Sequence, residues 1–230
     1  MDIFTKEVIK MKEKIYTIPI NDSFDNPVYC PFCFLEDKLE EDETEYTLGP
    51  SMMEPDSRVE SNEKGFCARH LNMMIKSDKK LSLALILSTH LKHVKTETEK
   101  AEFKKQGIFS KKTEGKKQSC VICEKLEYDR NRYIDTFFYM LKKDPDFSKK
   151  AEKCEKLCAY HGEKLLSSAA KKEDFELVKK MLVKSLDKNV KELRGFIDLF
   201  DYRTKDKDSE KYKDTVANAV NAAGGSIKNL

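Results

Sequence analysis

Eight cysteine and histidine residues of this chain fall into four short pairs with one internal spacing. Cys30 and Cys33 flank "PF", Cys120 and Cys123 flank "VI", and Cys67 and Cys158 each stand three residues before a histidine, His70 and His161. Thiolate sulfur and imidazole nitrogen are the donors zinc favours, and a closed set of four makes a tetrahedral structural site. In Cys-x-x-Cys, two thiolates reach one ion when the chain turns tightly between them, and Pro31 favours such a turn. In Cys-x-x-His on a helix, positions three apart share a face. Four protein donors leave no position for a substrate water, so no catalysis is expected at the metal.

The pairs also repeat in order. Cys30 and Cys33 recur 90 residues later as Cys120 and Cys123, and Cys67 and His70 recur 91 residues later as Cys158 and His161. "FCARH" at 66–70 is echoed by "LCAYH" at 157–161. Taking each half by itself groups Cys30, Cys33, Cys67 and His70 as one site. Cys120, Cys123, Cys158 and His161 form the other, on two similar units from an internal duplication. The expected cofactors are two zinc ions. An iron–sulfur cluster can also use three cysteines and a histidine, so a redox or electron-carrying protein is the alternative. A thioredoxin-like dithiol needs a βαβ context that the chain lacks. Unliganded core cysteines would not explain the paired spacing.

Two further candidates carry weaker signals. Cys154 stands four residues before Cys158 on the same helix face, where it could substitute as a ligand; having no counterpart in the first half, it reads as a bystander. His90 and His93 make an H-x-x-H with no thiol or carboxylate cluster attached, which reads as a solvated pair. "SMMEPDSRVESNEKGFC" at 51–67 is read as a loop in which Glu54, Asp56 and Arg58 cluster around Pro55. Charged residues on a loop beside a rigid scaffold can carry function, so an enzyme site there, with zinc only structural, is a second alternative. The plainer reading is an Asp–Arg pair folding the loop back, with Asn62 capping the next helix.

The elements that must position these residues are helical. Phe175, Val178, Leu182, Leu186, Val190, Leu193, Ile197 and Phe200 step by three or four, a stripe along a helix of about seven turns. Ile122, Leu126, Tyr133, Phe137 and Leu141 form another. "LSLALIL" at 81–87, continued by Leu91 and Val94, predicts a deeply buried helix. "KIYTIPIN" at 14–21 is the one extended candidate, and Pro19 argues against a regular strand. The expected architecture is all-α. An N-terminal metal-binding unit occupies 1–103, a basic linker 104–119 and a C-terminal metal-binding unit 120–203. A charged tail follows over 204–230, with a short helix around 208–222.

Composition narrows the function classes. Of 230 residues, 39% are hydrophobic and 37% charged, which suits long solvated helices. Thirteen phenylalanines and nine tyrosines are too many for a disordered chain. The net charge is only +3, so no overall polycation points to nucleic acid. Charge is uneven, with eleven acidic against two basic residues over 36–63 and nine lysines against four glutamates over 92–117. Both runs read as solvated faces and linker. Nucleic-acid binding through the 92–117 lysines is a further, disfavoured alternative, because the acidic run repels phosphate. The opening residues lack an apolar core of a signal peptide, and "LSLALIL" is too short to span a bilayer. A cytoplasmic protein is expected, where seven cysteines favour metal or redox chemistry over disulfides.

"KEKIYTIPINDSFD", "CPFC", "TLGPSMMEPDSR", "NEKGFCARHLNMM" and "LSLALILSTHL" together resemble an uncharacterised bacterial family, domain of unknown function 6062, over about residues 11–200. The resemblance implies a cytosolic, mainly helical protein with paired Cys and His motifs, and no activity. It also implies a start at Met11, with residues 1–10 an extension. "MEPDSR" belongs to the family pattern in the first half only, so the halves are not expected to be equivalent. The leading reading is a non-enzymatic, zinc-stapled scaffold for an unknown protein partner, with no membrane and no nucleic acid involved.

Overall fold

The structure, a computed structural model, describes residues 15–25, 27–101, 119–200 and 210–225. Among these the chain is helical and has no strand. The helices are α1 (residues 15–25), α2 (Pro31–Thr47), α3 (Pro55–Lys64), α4 (Ala68–Lys76) and α5 (Lys80–Glu99). They continue as α6 (Val121–Lys143), α7 (Pro145–Lys153), α8 (Ala159–Ser168), α9 (Lys172–Ile197) and α10 (Thr215–Gly224). All but Ser119 of the expected linker lies outside the described residues, as do the lysines from 104 to 117.

The chain divides into two compact units, 1–38 with 130–230, and 39–129. This differs from the consecutive halves 1–103 and 120–203 expected from the spacing, since the second unit is an insertion within the first. Its core is Leu48, Phe66, Met74, Leu83, Ile86, Ile122 and Leu126, all almost fully buried. The core of the other unit is aromatic. Phe24 stacks on Phe137 with centroids 5.7 Å apart and meets Phe147 edge-on at 5.3 Å, while Phe32 meets Phe137 at 5.4 Å. Such geometry satisfies the ring quadrupoles as well as burying apolar area. Leu157, Leu165, Val178 and Met181 complete it.

Three expectations are corrected. The extended candidate at 14–21 is helical from residue 15, because Ile20 and Phe24 fall on one helix face and both are buried, and that burial outweighs the proline. The helix α5 is not deeply buried: Leu83 and Ile86 face the core, whereas Leu81 and Leu91 are 75% and 62% exposed. A run of apolar residues on all sides of a helix is buried only where neighbours cover it. The segment 51–67 is no loop but a 3-10 turn (Pro50–Met53) followed by α3. Pro50 and Pro55 stand at the first helical position, where the missing N–H and fixed φ favour initiation. The stripe in α9 is buried only around Val178 to Ser185, and the expected tail helix is α10, packed on α8 and α9.

Candidate metal centres

All four pairs start helices. Cys30, Cys67, Cys120 and Cys158 each stand immediately before α2, α4, α6 and α8. Each gives its backbone carbonyl to the N–H four residues on, at Phe34, Leu71, Glu124 and Gly162, over 2.8–3.1 Å. Cys67 and Cys158 have extended backbone, φ −76° and −80°, as helix-capping residues do. The second donor of every pair is the third helical residue. The pairs therefore do not lie along a helix face, as expected for Cys-x-x-His, but bracket a helix N-terminus. There free N–H groups and the helix dipole favour a thiolate. The sulfur of Cys158 accepts the His161 N–H at 3.4 Å.

The grouping expected from the halves is wrong. The donors gather as Cys30, Cys33, Cys158 and His161 (centre I), and as Cys67, His70, Cys120 and Cys123 (centre II). Each centre takes one Cys-x-x-Cys and one Cys-x-x-His, but from opposite halves, so that centre II is nested in sequence between the arms of centre I. Backbone pairing brings the arms of centre II together. Val121 donates its N–H to the Gly65 carbonyl at 3.1 Å, and the Ser119 hydroxyl donates to the Lys64 carbonyl at 3.0 Å. Gly65 makes the turn into Cys67 at φ 68° and ψ −158°, a region open essentially to glycine, and a Cβ there would lie 2.8 Å from the His90 ring. In centre I the His161 ring stacks on Phe32 at 5.7 Å, and Lys156 ties the approach to Cys158 by donating to the Val28 carbonyl at 2.7 Å.

The donor geometry fits a tetrahedral ion. Metal–sulfur bonds of about 2.3 Å and metal–nitrogen bonds of about 2.0 Å give edges of about 3.8 Å between sulfurs and about 3.5 Å from sulfur to nitrogen. In centre I, Cys33 and Cys158 sulfurs are 3.6 Å apart, and His161 Nδ1 lies 3.2, 3.3 and 3.8 Å from Cys158, Cys33 and Cys30. In centre II, Cys67 and Cys123 sulfurs are 3.8 Å apart, and His70 Nδ1 lies 3.1, 3.2 and 3.5 Å from Cys67, Cys120 and Cys123. All seven cysteines are free thiols. The two clusters can hold metal ions.

A second carboxylate layer orients both histidines. With Nδ1 turned to the sulfurs, His161 Nε2 stands 3.0 Å from Glu36 Oε1, and His70 Nε2 stands 2.9 Å from Glu40 Oε1. Each carboxylate also meets an arginine, Glu36 with Arg130 at 2.8 Å and Glu40 with Arg69 at 2.5 Å. Carboxylate–histidine–metal relays fix the tautomer and raise ligand basicity. Sequence reasoning missed Glu36 and Glu40, assigning them to a solvated acidic run. The available signal was their spacing of four on the helix opened by Cys30 and Cys33; the structure adds that Glu40 is buried, at 4% exposure.

Electrostatics show what an ion would replace. Burial pulls the His70 pKa down, but Cys120 and Glu40 outweigh it and lift the imidazole to about 10. Burial likewise opposes protonation of His161, while Cys158, Cys30 and Glu36 raise it to about 12. Cys120 would be raised by burial, yet His70 holds it down at about 6, and burial with the Cys120 charge pushes Cys123 up to about 12. Hydrogen bonds from Cys30 and Cys33 drive Cys158 far below the ordinary thiol range, and the bond to Cys158 drives Cys33 far above it. In each cluster one thiol is thus biased toward the thiolate and the histidine toward its charged form, while one neighbouring thiol is biased to keep its proton. A divalent ion takes the place of those protons, so its binding releases them.

The remaining candidates join neither donor set among the described residues. Cys154 follows the end of α7 on extended backbone rather than sharing a helix face with Cys158; it is buried, burial pushes its thiol up to about 11, and it stands outside both donor sets. His90 Nδ1 lies 3.0 Å from the Asn62 carbonyl, and neither His90 nor His93 joins a donor cluster among the described residues. Asn62 sits inside α3 and is no cap; its side chain accepts from Thr89. Arg58 reaches across to the Leu85 carbonyl and to Thr89, and Glu54 accepts from Tyr46 and Ser57. These two charges fasten the 3-10 turn and α3, and the adjoining cavity, of about 10 Å³, has room for one water.

The centres differ in exposure. All four donors of centre I are at most 3% exposed, whereas in centre II Cys123 is exposed and Cys67 half-buried. No described helix is long and apolar enough to cross a membrane. No curated protein and no solved structure matches the chain. A family of unknown function (DUF6062) matches residues 11–229, nearly the full length, and the chain belongs to that family.

Proposed function

We propose that the protein is a non-enzymatic helical scaffold held by two structural zinc ions, one in each centre, and that it serves as an interaction or regulatory module in the cytoplasm. The observation that carries this reading is that each centre presents four protein donors at tetrahedral spacing, with no position left for a substrate or water. Zinc is preferred over an iron–sulfur cluster because the donors close around the volume of a single ion, with sulfurs 3.6–3.8 Å apart. A duplicated ancestor remains consistent with four helix-starting pairs of one spacing.

Metal at these places closes long stretches of chain. Centre I joins residues up to 131 apart, and the ordering it imposes on the unfolded chain is large on any loop-closure estimate. Binding free energy then becomes folding free energy. The test is to strip the protein with a strong chelator under reducing conditions and follow helical circular dichroism and thermal unfolding. Loss of cooperative unfolding, restored by zinc, supports the scaffold. An unchanged transition in metal-free protein refutes it.

A further inference from the structure

The helix α9 carries two apolar stripes, and only one is covered. Val178, Met181, Leu182 and Ser185 are buried in the core of their own unit. The second stripe is Val183, Leu186, Val190, Leu193 and Ile197, continued by Phe200 in the 3-10 turn that follows. Its steps alternate between three and four residues throughout. These are the a and d positions of a heptad, the narrow seam that receives a second helix, rather than the broader face a helix turns to a globular core. Val183, Val190 and Ile197 are 49%, 47% and 63% exposed, and Phe200 is 77% exposed.

The charges beside the seam indicate which helix it fits. Asp187 and Arg194 both flank it at the e position, seven residues apart, and both are exposed. Neither side chain has an ion-pair partner among the described residues. By contrast, Lys180, Lys184 and Lys188 of the same helix are paired with Glu152 and Glu155. A second α9 laid antiparallel across a two-fold axis sets Val190 against Leu193 of the second copy, Leu186 against its Ile197 and Val183 against its Phe200. The same register brings Asp187 beside Arg194 of the second copy and, by symmetry, Arg194 beside its Asp187. A two-fold contact must be self-complementary in this way. A parallel pair would instead match g with e positions, Leu182 with Asp187 and Asn189 with Arg194, and would join no opposite charges.

We propose that this face of α9 is a homodimer interface, covered by the antiparallel α9 of a second copy of the chain. The occupant is a second copy because the stripe and its flanking charges complement themselves. The helix supplies no donor to either centre, so the inference does not depend on which metal the centres hold.

The test is sedimentation velocity on the full-length protein as purified, from about 1 to 100 µM, the affinity range that suits an interface at the small end of the size scale. The expected result is a reversible monomer–dimer equilibrium, with dimer dominant at the upper end. Val190→Glu, a change at an exposed position, puts a charge into the seam and should weaken the dimer at least about tenfold. Asp187→Arg sets arginine against arginine and should weaken it by about tenfold, whereas adding Arg194→Asp should restore affinity to within about threefold of wild type. Helical circular dichroism should be unchanged in all three variants. The proposal is overturned if the protein stays monomeric at about 100 µM, if the dimer is indifferent to Val190→Glu, or if the double charge swap associates no more tightly than Asp187→Arg alone.

Discussion

The sulfurs of Cys33 and Cys158 lie 3.6 Å apart although 125 residues separate them. Cys33 and Cys67, only 34 positions apart, belong to different centres. This crossing predicts metal content in double variants. Cys33→Ser with Cys158→Ser damages one centre and should lose one ion of two. Cys33→Ser with Cys67→Ser damages both and should lose both. Elemental analysis of the two variants decides it, and the reverse pattern would restore the grouping by halves.

Glu40 predicts a separate effect. Replacing it with glutamine keeps the shape but removes the carboxylate charge that faces His70. Metal affinity of centre II should fall by about 10–100-fold, with stoichiometry intact at saturating metal. Competition with a chromophoric chelator measures this. Glu36→Gln should act alike on centre I, and an unchanged affinity in both variants would show that the carboxylates do not tune the metal.

All eight donors were legible in the sequence, because their types and their spacing of three are chemical facts. Their partition was not. Pairing by nearness assumes that local segments fold first onto each other, whereas α2 and α6 each begin at a Cys-x-x-Cys and the partners arrive from α8 and α4. Nothing local in "CPFC" distinguishes Cys67 from Cys158. The helical nature of α6 and α9 was readable from apolar steps of three and four. The helicity of 15–25 and of α3 was not: 14–21 reads as extended, with Pro19 weighed only against a regular strand, and the charges around Pro55 read as a loop, whereas Pro55 starts a helix and burial of Ile20 and Phe24 holds the segment around Pro19.

Gly65 should be intolerant of a side chain. Its φ of 68° with ψ −158° and the His90 ring 2.8 Å from a would-be Cβ predict that Gly65→Ala destabilises the protein by about 1–3 kcal/mol. Because Gly65 also accepts from Val121, the variant should bind metal more weakly at centre II. Urea unfolding with and without metal tests both; a neutral effect would contradict the turn geometry.

Glu155 gives a pH prediction. Hydrogen bonds from Lys188 and Lys184, at 2.9 and 3.0 Å, lower its pKa from 4.5 to about 2. A carboxylate with a depressed folded pKa adds stability that is complete above its unfolded value and disappears as pH falls through the folded value. The pair is solvent-screened, so Glu155→Gln should cost under about 1 kcal/mol at pH 7. That difference from the wild type should shrink between about pH 4.5 and pH 2. Thermal unfolding across that range checks it, and a difference that grows as pH falls would reverse the sign.

The central claim is two structural zinc ions per chain. It is tested most directly by metal identity and stoichiometry, measured by elemental analysis on protein purified without oxygen and without added metal. The account predicts close to two zinc ions and no iron per chain. Less than one zinc per chain, or iron with labile sulfide in its place, would contradict it.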